Sequence, residues 1–137
     1  MKNILLKGGT IINKIITWNE FNDKMKKVFG KSFRYVDDLY FNVEKEVTFG
    51  ENAELEDDQA LRYLQDLYNM NGELCVITDI CYEKNQGPFI VKSNEIQNFV
   101  NTYKLTFGEA FYSTDIIIIN FEEKVLWVLF HEGIRCV

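Results

Sequence analysis

One histidine, one proline and three cysteines in 137 residues exclude more chemistry than any motif in the chain asserts. The lone His131 has no second imidazole with which to build a His-Glu-x-x-His zinc site, because Arg135 stands where that ligand would be. Cys75, Cys81 and Cys136 are an odd set without Cys-x-x-Cys spacing. They fit reduced, mostly buried thiols better than a zinc site or a closed disulfide framework. A single proline leaves no Pro-rich linker to divide the chain. No apolar run approaches the roughly 18 residues of a membrane span. The apolar start Ile4-Leu5-Leu6 is interrupted by Lys7-Gly8-Gly9, too early for a signal peptide, so a cytoplasmic chain without membrane attachment is expected. Basic residues are also short: 15 Lys and Arg against 21 Asp and Glu give a formal charge of −6. That balance disfavours direct binding of nucleic acid or anionic membranes and favours a basic macromolecule as partner.

What the chain does have is apolar and aromatic mass. Hydrophobic residues make up 47% and aromatics 15%, with eleven Phe and seven Tyr, which excludes a disordered chain. A chain of this length can bury roughly two-thirds of its unfolded surface without disulfides or metals. One domain spanning residues 1–137 is expected.

The clearest pattern lies near the C-terminus. Asp115 is followed by Ile116-Ile117-Ile118-Ile119-Asn120, a charged break at Phe121-Glu122-Glu123-Lys124, and then Val125-Leu126-Trp127-Val128-Leu129-Phe130. Two apolar runs of strand length around a polar break predict a buried antiparallel hairpin at the centre of a sheet. At the other end, Ile4-Leu5-Leu6, Gly8-Gly9 and Ile11 to Ile16 predict a strand or a tight hairpin. Thr17 and Glu20 have capping-box spacing, and Trp18, Phe21, Met25, Val28 and Phe29 recur at helical intervals before Gly30, so a first helix is predicted there. Phe33 to Phe49 fits two periods: Phe33, Tyr35, Leu39, Phe41 and Val43 as a strand, or Val36, Leu39, Tyr40, Val43 and Val47 as a helix.

The acidic run from Glu51 to Asp58 leads into Leu61, Leu64, Leu67 and Tyr68, a second amphipathic helix ending near Asn71-Gly72. A strand over Glu73–Ile80, a loop through Asn85-Gln86-Gly87 and a short strand over Pro88–Val91 follow. Ser93 is the candidate cap of a third helix that turns Ile96, Phe99, Val100, Tyr103 and Phe107 inward and stops at Gly108. Irregular alternation of elements and an antiparallel closing pair predict an α+β fold: a mostly antiparallel sheet with about three helices packed on one face.

Catalytic motifs are absent. A nucleophilic pair of His131 with Cys75, Cys81 or Cys136 is conceivable in space, but no spacing specifies it. Gly8-Gly9 lacks the phosphate-loop and dinucleotide patterns, so a turn is the better reading. The pairs Asp37-Asp38, Asp57-Asp58 and Glu122-Glu123 consist of adjacent residues, which diverge in a regular element and fit solvated faces or turns. No catalytic residue, metal ligand or cofactor is therefore expected. Facing a cationic partner, the same acids acquire a role. Asp37 and Asp38 lie among Tyr35, Tyr40 and Phe41, while Glu51, Glu54, Glu56, Asp57 and Asp58 gather at a helix start. Carboxylates speed association with a basic protein and aromatic anchors supply affinity.

Two stretches carry a family resemblance. Thr106-Phe107-Gly108-Glu109-Ala110-Phe111-Tyr112-Ser113-Thr114-Asp115, the isoleucine run, and Trp127-Val128-Leu129-Phe130-His131-Glu132-Gly133 resemble the C-terminal block of immunity proteins from bacterial contact-dependent growth inhibition and related polymorphic-toxin systems. Ile4 to Gly30, with Trp18 and Phe21, is similar to the opening of barstar-like ribonuclease inhibitors, and Phe49-Gly50-Glu51-Asn52 resembles their Tyr-Gly-Asn segment after an additional stretch, Lys31 to Thr48. The resemblance implies a non-enzymatic cytoplasmic protein that binds the C-terminal domain of a cognate toxin, a nuclease by preference, and occludes its active site or a neighbouring surface. Asp37, Asp38, Tyr40, Glu54, Glu56, Asp57 and Asp58 are the candidate contacts, chosen from charge. The alternative is an acidic inhibitor that mimics nucleic acid, or a regulatory binding protein of another system.

Overall fold

Side chains of β6 (Ile116–Asn120) are buried at every position, although strand residues alternate between faces, so the sheet that contains it is covered on both sides. The computed structural model describes residues 2–5, 11–30, 45–48, 57–84, 86–108, 111, 116–130 and 133–136. Within them, β1 (Lys2–Leu5), β2 (Ile11–Ile15), β3 (Lys45–Thr48), β4 (Glu73–Ile77), β5 (Phe89–Lys92), β6, β7 (Val125–Phe130) and β8 (Gly133–Cys136) form one sheet in the order β1-β2-β5-β4-β6-β7-β8-β3. Every neighbouring pair is antiparallel. The helices are α1 (Trp18–Phe29), α2 (Asp57–Leu67), the short α3 (Asp79–Glu83) and α4 (Ile96–Phe107). The fold is α+β, as expected.

Register assigns the faces. Val76, Phe89, Ile118 and Trp127 are successive cross-strand partners and share one side. Phe89 on that side meets Phe99 and Phe107 of α4 at ring separations of 5.5 and 5.6 Å, and Tyr68 beyond α2 meets Trp127 at 6.1 Å. Cys75, Ile90, Ile119 and Leu126 face the other way. Both faces of β6 are buried, because a continuous isoleucine run has no polar alternate positions to present to water. Ile116, Ile117, Ile118 and Ile119 are each at most 1% exposed, and each contributes roughly 1.5–3 kcal/mol by leaving water.

The closing hairpin lies at the centre of the sheet, with the turn Phe121–Lys124 closed by Lys124 at φ 58°. The first helix forms as its signals require. The Glu20 N–H donates to Thr17 Oγ1 at 3.1 Å, and Gly30 adopts φ 82° with its N–H on the Lys26 carbonyl. Phe21 and Met25, one turn apart, are fully buried, while Phe21 and Phe29 contact Phe121 and Trp18 stacks on Tyr82. Both arms of the N-terminal hairpin pair, with an irregularity between Lys2 and Ile4.

Two boundaries and one strand differ from the sequence reading. The strand starting at Glu73 ends at Ile77, because extended Thr78 opens α3; its N–H donates to Cys81 Sγ at 3.4 Å and its carbonyl accepts from the Cys81 N–H at 3.0 Å. Ser93 does not cap α4 but begins a 3-10 turn over Ser93–Glu95, its N–H held by the Gly72 carbonyl at 2.7 Å. The helix ends at Gly108, as expected, with φ 83°. Beyond the hairpin, Gly133–Cys136 adds a strand that the sequence reading did not foresee. It pairs on its other side with Lys45–Thr48, so Val47, which fitted the helical spacing, lies in a strand, and Phe33, Tyr35, Leu39, Phe41 and Val43 lie outside the described residues.

Candidate functional site

Helix α2 carries the described part of the candidate acidic surface. Ala60, Leu61, Leu64 and Leu67 are buried on the side packed against α4 and β8, while Gln59, Arg62 and Asp66 are exposed. This is the amphipathic division expected of a surface helix. Asp57 and Asp58 are the first two residues of the helix. Roughly 15 Å further along the axis, at 1.5 Å per residue, the helix stops at Leu67. Tyr68 follows it and is 42% exposed. The sequence reading grouped Tyr68 with the apolar stripe; because the helix has ended, its ring lies over the edge of Trp127 and still meets solvent.

Of the seven candidate contacts, the structure places Asp57 and Asp58 together in one helical turn. Asp37, Asp38, Tyr40, Glu54 and Glu56 lie outside the described residues, as does His131. The exposed acid Asp66 and the exposed ring of Tyr68 were missed as candidates on this helix. Their signal was available, since Asp66 falls one helical turn beyond Arg62 on the polar stripe.

A second acidic surface is a turn, as its sequence suggested. Glu122 and Glu123 are exposed between β6 and β7. Buried Asn120 fixes this turn: its amide donates to the Asn71 carbonyl at 2.7 Å, and its Oδ1 accepts the Glu123 N–H at 2.9 Å. Asn71 Nδ2 in turn donates to the Glu123 carboxylate at 3.3 Å. These bonds tie the α2–β4 loop to the central hairpin and account for the polar residue at the end of an isoleucine run.

The described thiols are poor nucleophiles. Cys75 and Cys81 are free and buried, and burial, the largest influence on each, pushes the Cys75 thiol well above its ordinary value of 9.0 and the Cys81 thiol up to about 11. Both are neutral at pH 7, and a thiolate is the reactive form. Cys81 is engaged structurally, with its Sγ near the Thr78 N–H and the Val76 carbonyl. Among the described residues no group of three His, Cys, Asp or Glu side chains could hold a metal ion, and no helix is long and apolar enough to cross a membrane. The indole N–H of Trp127 is buried without an acceptor among the described residues. Comparisons with protein-family models, with curated proteins and with solved structures each find no match to this chain.

Proposed function

We propose that the chain is an immunity protein, a non-enzymatic α+β domain that binds and neutralises a cognate bacterial toxin in the cytoplasm. The observation that carries this reading is α2: it starts at Asp57-Asp58, exposes Gln59, Arg62 and Asp66, and is followed by the half-exposed Tyr68. A rigid helix with charge at one end and an aromatic anchor at the other suits a protein partner. Charge of one sign steers a basic partner during approach, and a ring supported by buried neighbours supplies the contact that persists. The chain's charge of −6 and the resemblance of its C-terminal block to toxin-immunity proteins support the same reading. The toxin is a nuclease in this proposal, because an enzyme that binds nucleic acid presents the basic cleft that these carboxylates complement.

Inhibition is by occlusion: the chain covers the toxin's active site or a surface the toxin needs, with no covalent step. The experiment is a nuclease assay of the toxin domain encoded beside this chain, with the purified chain titrated in. Complete inhibition near one-to-one stoichiometry supports the reading. Full nuclease activity in a large excess of folded chain contradicts it.

A further inference from the structure

We draw no further inference here: the strongest candidate, the surface patch where half-exposed Tyr68 lies over buried Trp127 near the Glu122–Glu123 turn, combines an aromatic ring and a small acidic cluster, and nothing in the structure shows what covers it.

Discussion

Tyr103 of α4 donates its phenolic hydrogen to Thr78 Oγ1 at 2.7 Å, a bond made inside the core between residues that are each 1% exposed. It joins the helix layer to the point where β4 stops and α3 starts. The ring of Tyr103 packs at the same time on Phe99, Phe107 and Phe111, at separations of 5.7, 4.7 and 5.5 Å. Apolar packing and a buried polar bond thus act through one side chain.

Tyr103→Phe keeps the packing and deletes the bond, and should destabilise the protein by roughly 1–2 kcal/mol, the usual penalty for orphaning a buried hydroxyl. Thr78→Val should cost a similar amount. The double variant should lose less than the sum, because neither partner is then left unsatisfied. Urea denaturation of the four proteins measures this coupling; strict additivity would show that the bond contributes nothing.

Gly87 and Gly30 form a controlled comparison. Both have positive φ, 91° and 82°, but a Cβ on Gly87 would stand 2.0 Å from the Ile16 carbonyl oxygen, whereas one on Gly30 meets nothing within 4 Å. The Ile16 N–H also bonds the Pro88 carbonyl at 3.1 Å, so β2 and the approach to β5 cannot separate freely. Gly30→Ala should cost about 1–2 kcal/mol from backbone strain alone. Gly87→Ala should cost clearly more, and thermal unfolding of the pair reads the difference. Equal losses would contradict the close approach.

These particulars show what the sequence made legible. Thr17, Glu20 and Gly30 announce α1 because capping and left-handed termination are local events. The isoleucine run announces a central strand because nothing else buries five successive side chains so readily. Thr78 was unreadable as a strand end, since Ile80 and Cys81 continue the apolar run while the chain turns into α3. Strand β8 was hidden because its partners, β7 and β3, are brought together only by tertiary pairing. In the candidate site, the placement of Asp57 and Asp58 at a helix start was legible from the acidic run that precedes Leu61, while Tyr68 was read as part of a helix that ends one residue before it.

The buried thiols give stability a pH dependence of defined sign. Above pH 9 the unfolded chain loses thiol protons that Cys75 and Cys81 retain when folded, since both folded values are raised from 9.0. Their contribution is intact below pH 9 and declines as pH rises, by about 1.4 kcal/mol per pH unit for each thiol until its folded value is reached. A Cys75→Ala/Cys81→Ala variant should therefore lose less stability between pH 9 and 10.5 than the parent. Chemical denaturation across that range measures the two slopes; parallel slopes would contradict the assignment.

Asp57→Asn/Asp58→Asn should leave the fold within about 1–2 kcal/mol of the parent, because the helix-dipole gain is about 0.3–1 kcal/mol per carboxylate. It should slow association with a basic toxin several-fold and flatten the salt dependence of that rate. Stopped-flow binding at several ionic strengths separates the two effects. An unchanged rate at low salt would remove this helix start from the interface.

Growth of bacteria expressing the C-terminal region of the adjacent upstream reading frame, with and without this chain, tests whether the chain is an immunity protein. If the chain is an immunity protein, that region is toxic alone, co-expression restores growth and the two proteins co-purify. Undiminished toxicity in cells that accumulate the folded chain would contradict it.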